Sequence, residues 1–172
     1  MNWLQKDIEN NLRYYGARQN DPIQKRKKRC TMRIRKFRLE DAAEVARLHR
    51  GTIRNVNSKD YPKKQIKVWS KRNTVHRLRK NKANIFRFVA IENKKILGFV
   101  DFSIDGELKA LYVHKDEIGK GVGKKLYEKA EKEAIKKGIK TLTLSSTITA
   151  KDFYKKQGYK VIKKSIFKID GE

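Results

Sequence analysis

The segment Gly119-Lys120-Gly121-Val122-Gly123 is the part of this chain best equipped for chemistry. It lies between an apolar run that reads as a strand and a long pattern that reads as a helix. Glycines at such a turn let the backbone come close to a ligand, and the free N–H groups that open a helix point at anions. Lys120, Lys124 and Lys125 add positive charge. The turn therefore predicts phosphate binding. It is not a nucleotide-binding P-loop, because no Gly-Lys-Ser/Thr follows at the required spacing. It also differs from a dinucleotide fingerprint, which follows a first strand, whereas this turn follows the fourth. His49, His76, His114 and the single Cys30 show no ligand spacing, so no structural zinc is expected. One cysteine cannot form an intramolecular disulfide.

The elements that must hold this turn can be read in order. Met32–Arg38 predicts a strand. Glu40-Asp41 opens a helix whose apolar stripe, Ala42, Ala43, Val45, Ala46, Leu48 and Ile53, runs to about Val56. Asn57–Asp60 is a loop, and Pro62 starts a second helix with Ile66, Val68 and Trp69. A weaker helical pattern spans Thr74–Asn81. Ile85–Glu92 and Ile96–Ile104 read as a hairpin across Asn93-Lys94-Lys95. Asp105-Gly106 marks another tight turn before a strand at Glu107–His114. A helix follows at about Lys120–Lys137, then a strand at Thr141–Ser146, a short helix at Ala150–Gln157 and a last strand at Tyr159–Ile169. The order β-α-α-β-β-β-α-β-α-β predicts an α/β fold with a mixed, mostly antiparallel sheet and helices on both faces. Before it, Trp3, Leu4, Ile8, Leu12 and Tyr15 have the spacing of a short amphipathic helix. A basic block, Lys25–Arg29, follows. The pattern changes at Thr31, so residues 1–31 are expected to be a basic extension and residues 32–172 the domain.

The chain has 172 residues, enough for one domain with a real core. No apolar run approaches the ~20 residues of a membrane span, and Met1–Asn20 lacks a signal-peptide stretch. A soluble, cytoplasmic protein is expected. Lys plus Arg is 45 and Asp plus Glu is 19, a net charge of +26. Beyond residues 25–29 the excess is diffuse, which favours a general lysine bias over a dedicated nucleic-acid surface, while a small phosphorylated ligand would still be attracted. There is no RNA-binding aromatic strand and no helix-turn-helix signature.

Three segments in sequence order resemble the GNAT superfamily of acyl-CoA-dependent N-acetyltransferases. Leu111-Tyr112-Val113-His114 followed by Gly119–Leu126 is similar to that family's strand–turn–helix motif, Gln/Arg-x-x-Gly-x-Gly/Ala. Gly121 and Gly123 fill its glycine positions, and Ile118 stands where Gln or Arg is usual. Thr141–Ser146 and then Ala150-Lys151-Asp152-Phe153-Tyr154-Lys155-Lys156-Gln157-Gly158-Tyr159 resembles the family's strand and Ala-x-x-Phe-Tyr-x-x-x-Gly-Phe stretch. Tyr61-Pro62-Lys63-Lys64-Gln65-Ile66 with Trp69 resembles one branch's Tyr-Pro-x-Gln-Ile-x-x-Trp stretch. The resemblance covers roughly residues 32–169.

The resemblance implies acetyl transfer from acetyl-CoA, without a metal, to a primary amine on a small molecule or peptide. The pyrophosphate would rest on backbone N–H groups of Gly119, Lys120, Gly121, Val122, Gly123 and Lys124. The pantetheine would lie along Leu111, Tyr112 and Val113, with the Val113 N–H facing the thioester oxygen. Tyr154 would be the general acid, since a phenol of pKa ~10 can protonate a thiolate of pKa ~8.5. Glu107 would be the general base, with Glu92 and Asp101 as alternatives and a water relay as another. Asn57, Tyr61 and Trp69 would line the acceptor pocket. A monomer or homodimer is expected. An acyl-CoA sensor without turnover, and a nucleic-acid module built on the same fold, are the competing readings. A chain at +26 repels strongly cationic acceptors over a Debye length of ~8 Å. Polyamines, aminoglycosides and histone-like tails are thus disfavoured against amino-acid-like, sugar-amine or neutral N-terminal acceptors.

Overall fold

The structure is a computed structural model and describes residues 2–9, 32–80 and 83–164. Its elements run β1 (Asn2–Asp7), β2 (Arg33–Lys36), α1 (Ala42–Asn55), α2 (Lys63–Trp69), α3 (Val75–Arg79), β3 (Ile85–Glu92), β4 (Lys95–Ser103) and β5 (Leu108–Val113). After these come α4 (Val122–Lys136), β6 (Thr141–Ser146), α5 (Lys151–Lys156) and β7 (Lys160–Lys164). The strands form a four-stranded antiparallel sheet, β2-β3-β4-β5, and a three-stranded one, β6-β1-β7. The expected α/β architecture with helices on both faces is what the chain adopts.

Alternation along the strands explains the layers. Phe88 and Ala90 of β3 face one side with Val100 and Phe102 of β4. There they meet the stripe Val122, Leu126, Tyr127, Ala130 and Ala134 of α4. Val89, Ile91 and Phe99 face the other side and pack on Ala42, Val45, Ala46 and Leu48 of α1. The β3–β4 hairpin turns on Asn93 and Lys94, both with positive φ (48° and 64°). Left-handed conformation at both central residues suits the twist of a two-residue hairpin.

The two sheets touch at one parallel bridge, Glu107 with Thr143. The Thr143 N–H donates to the Gly106 carbonyl at 3.0 Å. Only glycine fits at 106: its φ is +86°, and a Cβ there would lie 2.4 Å from the Thr141 carbonyl oxygen. Beyond this point β5 and β6 share no ladder among the described residues, which leaves a gap in the pairing along the outer edge of β5. The β4–β5 ladder carries a bulge. Asp101 pairs with Ala110 and Phe102 with Leu108, so Lys109 is the extra residue.

One expectation is corrected. Residues 2–7 form a strand, not a helix, and it is the middle strand of the β6-β1-β7 sheet. Leu4 pairs with Leu144 on one side and Val161 on the other. Leu4 and Ile8 are fully buried in the main core, and Lys6 between them reaches the buried Glu131 at 2.5 Å. Leu4, Lys6 and Ile8 thus follow a period of two, which the four-residue step from Leu4 to Ile8 had disguised. Leu12, Tyr15 and the basic block lie outside the described residues, as does the end of the expected last strand. Among the described residues no helix is long and apolar enough to cross a membrane.

Candidate active site

The edge of β5 is built to hold an extended partner. The His114 N–H donates to the Leu97 carbonyl of β4 at 2.7 Å. Successive residues of a strand alternate in direction, so Leu111 and Val113 turn their N–H and C=O groups away from β4, toward the gap. The Val113 carbonyl is taken by Thr52 of α1, whose hydroxyl donates to it at 2.8 Å. The Val113 N–H remains directed at the gap.

The glycine turn sits at the end of that edge. Gly119 and Gly121 both have φ of +84°, and a Cβ on either would meet no protein atom within 4 Å. These positions need glycine for the left-handed backbone, and the space beside them is open to a ligand. Gly121 caps α4. The N–H groups of Val122, Gly123 and Lys124 open the helix and have no carbonyl one turn earlier within it, so they project from its positive end. Lys120 and Lys124 are exposed and pair at the surface with Glu117 at 3.2 Å and Glu128 at 4.0 Å. Such pairs exchange readily for a phosphate. Ile118 is half exposed and offers no polar group.

The turn, β5 and α5 converge. A Cβ on Gly123 would lie 3.4 Å from a Val113 methyl and 3.7 Å from the Phe153 ring. Tyr154, next to Phe153, is buried with its ring 5.1 Å from Phe153 and 5.7 Å from Tyr159. Burial, reinforced by the neighbouring phenols of Tyr159 and Tyr112, pushes the Tyr154 hydroxyl well above its ordinary pKa. The phenol is therefore a proton holder at every working pH.

The α1–α2 connection closes on the other side. Asn57 is buried and donates from Nδ2 to Thr149 Oγ1 at 3.3 Å. Thr149 Oγ1 donates to Asp60 at 2.6 Å, and the Ile148 N–H donates to Tyr61 Oη at 2.9 Å. The loop between β6 and α5, which precedes Tyr154, is fastened to the α1–α2 connection by these three bonds. Tyr61 packs edge-on against Trp69 at 5.4 Å, and both pack with Tyr112. Asn57 and Tyr61 thus act as ties, and Trp69 lines a pocket.

That pocket has a volume of about 740 Å³ and opens on the α1 side of β5, with Trp69, Tyr112, His49, Asp101 and Ala110 in its wall. Asp101 is paired to Arg87 by two bonds, 2.7 and 2.6 Å. Burial raises the Asp101 carboxyl, and Arg87 offsets only part of that. His49 was not singled out in the sequence. It is buried, its ring lies 4.6 Å from Tyr112, and its Nδ1 has no hydrogen-bond partner among the described residues. Burial, with Arg50 nearby, pushes its pKa down to about 4, so it is neutral in physiological conditions. Glu107 stands apart from this group. It immediately precedes β5, pairs with Lys109, and lies six residues from Val113, roughly 20 Å along an extended chain. Among the described residues no group of three or more His, Cys, Asp or Glu side chains is placed to hold a metal.

The chain is similar to known proteins in sequence and fold. A family model described as an acetyltransferase (GNAT) domain matches residues 57–171. No curated protein matches the chain. A GCN5-related N-acetyltransferase from Rhodopseudomonas palustris superposes with a TM-score of 0.77 at 26% identity, over 83% of this chain and 89% of that one. The PaiA N-acetyltransferase of Thermoplasma acidophilum, solved in complex with coenzyme A, gives 0.71 at 24% identity, over 78% and 93%. A GNAT-family acetyltransferase from Brucella melitensis, in complex with acetyl-CoA, gives 0.58 at 23% identity, over 83% and 95%. The last two likenesses bear on the fold. The family match spans most of the chain and includes the glycine turn, the β5–β6 gap and Tyr154: the chain belongs to the GNAT acetyltransferase family.

Proposed function

We propose that this protein transfers an acetyl group from acetyl-CoA to a primary amine by direct attack, with both substrates bound at once. One observation carries the reading. The unpaired edge of β5 at Val113, the open glycine turn at the start of α4 and the helix α5 that carries Phe153 and the buried Tyr154 meet around Gly123. The two neighbours solved with coenzyme A or acetyl-CoA support the donor. The donor supplies a thioester activated for attack by nitrogen.

Each group then has a task. The N–H groups of Gly119 and of Gly121–Lys124 bind the pyrophosphate, the Lys120 N–H being taken by the Glu117 carbonyl at 3.3 Å, and the Lys120 and Lys124 side chains add charge. The edge of β5 at Leu111–Val113 aligns the pantetheine arm. The Val113 N–H stabilises negative charge developing on the thioester oxygen. Tyr154 gives its proton to the departing sulfur. The amine must arrive neutral. Glu107 is too far along β5 to take its proton at Val113, and Asp101 is engaged by Arg87, so we assign that step to water entering through the pocket.

Gly121→Val tests the donor site. It puts a β-branched residue at φ +84° and a side chain into the open space of the turn. Acetyl-CoA affinity should fall at least about tenfold, and wild-type affinity should fall as salt rises. A titration showing equal affinity in the two proteins would take the turn out of the site. The nucleic-acid reading predicts no acetyl-CoA binding at all.

A further inference from the structure

The end of β5 is held by a helix where a neighbouring strand is missing. Among the described residues no strand pairs with the outer edge of β5 at Leu111–Val113. Yet the peptide that joins Val113 to His114 is fixed on both sides. Its N–H donates to the Leu97 carbonyl of β4 at 2.7 Å. Its carbonyl accepts from the hydroxyl of Thr52, a buried residue of α1 that lies 61 positions away in the chain, at 2.8 Å. The same hydroxyl lies 3.0 Å from the Leu48 carbonyl, one turn earlier in α1. Bonding back to its own helix is the ordinary habit of a helical threonine. Here the one hydroxyl proton is shared with a carbonyl of another element.

This second bond bears on the Val113 N–H, one peptide earlier, which faces the gap. An N–H that stabilises a developing oxyanion works by being aimed before the reaction begins. Its direction is set by the peptides on either side of Val113. The preceding one belongs to the β4–β5 ladder, where Tyr112 pairs with Phe99. The following one is the peptide clamped between Leu97 and Thr52. Within a strand the N–H and C=O of one residue point to the same side. Without Thr52 the Val113 carbonyl would face the gap unpaired, next to the N–H. Its negative end would then oppose the charge that the N–H is there to stabilise. With Thr52 in place, Val113 offers the gap a donor alone.

We propose that Thr52 is a positioning residue for acetyl transfer: its hydroxyl occupies the Val113 carbonyl and so keeps the Val113 N–H aimed at the thioester oxygen. This rests on the acetyltransferase reading given above. Thr52 acts through the strand and not on either substrate.

Thr52→Val and Thr52→Ser test it together. Valine keeps the shape but puts a methyl where the hydroxyl stood, and a methyl carbon needs about 3.3 Å from an oxygen. The Val113 carbonyl must then retreat by about half an ångström and lose its partner. Serine keeps the hydroxyl and gives up the methyl. Turnover is measured with acetyl-CoA and an accepted member of a panel of amino acids and amino sugars. Thr52→Val should lower kcat about tenfold, with acetyl-CoA affinity within about twofold because the glycine turn lies elsewhere. Thr52→Ser should keep kcat within about twofold of wild type. A second readout needs no turnover. In amide-detected NMR, exchanging saturating coenzyme A for saturating acetyl-CoA should move the Val113 amide proton downfield in wild type and in Thr52→Ser. In Thr52→Val that movement should shrink to less than half. Rates that fall in both variants in step with their melting temperatures would show that Thr52 only holds the fold, and would overturn the proposal. A Thr52→Val protein with wild-type kcat and a wild-type Val113 shift would overturn it as well. A wild-type protein that fails to bind acetyl-CoA, or binds it and acetylates no amine, would instead overturn the reading beneath, and this proposal with it.

Discussion

A chain lacking residues 1–8 should fail to fold. β6 and β7 do not pair with each other; each pairs only with β1 in their sheet, so removing β1 leaves two unpaired strands. It also opens the core where Leu4 and Ile8 are fully buried among Leu142, Leu144 and Tyr159. A third loss is electrostatic. Glu131 is 4% exposed and would lose the Lys6 ammonium, and stripping one partner from a buried pair costs about 3–5 kcal/mol. The smaller test is Leu4→Ala. A fully buried leucine cut to alanine costs about 2–5 kcal/mol. At roughly 2–4 °C per kcal/mol for a chain of this size, the melting temperature should fall by roughly 4–20 °C. Gln5→Ala, on an exposed neighbour of the same strand, is the control and should hardly move it. A Leu4→Ala protein that melts with wild type would show that β1 does not belong to the core.

Tyr154→Phe should lower kcat by about 10–10²-fold and leave acetyl-CoA affinity within twofold. The coenzyme thiolate is a tolerable leaving group, which places the loss near the lower end of what general acids contribute. The fold should not suffer. The ring is 6% exposed and packs between Phe153 and Tyr159, and phenylalanine fills the same volume. Burial has a consequence for pH. It holds the phenol protonated well above its ordinary value of ~10, so Tyr154 adds no alkaline limb to the wild-type rate profile below that pH. The deficit of the variant should also narrow with an acyl donor whose thiol is more acidic, because that sulfur needs less help in leaving. Steady-state kinetics with two donors decides the matter. A kcat within about twofold of wild type for both would end the assignment, provided chemistry is the slow step.

What could be read from the sequence follows the range of the interactions involved. β6 begins and ends at Thr141 and Ser146 in both readings, because its alternation and its bounding loops are local. The hairpin at Asn93-Lys94 and the turn at Gly106 are also local, set by residues that tolerate positive φ. The glycine turn and Tyr154 carry motif spacing, and the structure brings Gly123 of the turn beside Val113 of β5 and Phe153, the neighbour of Tyr154. Strand β1 was hidden because its choice of state depends on partners more than 130 residues away. Four-residue spacing of apolar side chains fits a helix and a strand alike until those partners are known. Thr52 gripping the Val113 carbonyl and Thr149 linking Asn57 to Asp60 are likewise tertiary, and a threonine in a helix or loop gives no sign of them. His49 sat unnoticed in an apolar helical stripe. Glu107 was placed by counting back from the turn, and such a count does not say how far along a strand the chemistry lies.

Release of free coenzyme A, followed together with the mass of the amine, tests the central claim most directly. The protein is mixed with acetyl-CoA, first alone and then with each member of a panel of primary amines that includes amino acids and amino sugars. Direct transfer predicts that thiol appears only when an accepted amine is present, mole for mole with an amine heavier by one acetyl group. It also predicts that the protein itself gains no acetyl group in the mixture without amine. Acetyl-CoA that binds and is released intact with every amine, or thiol that appears at the same rate without any amine, would contradict it.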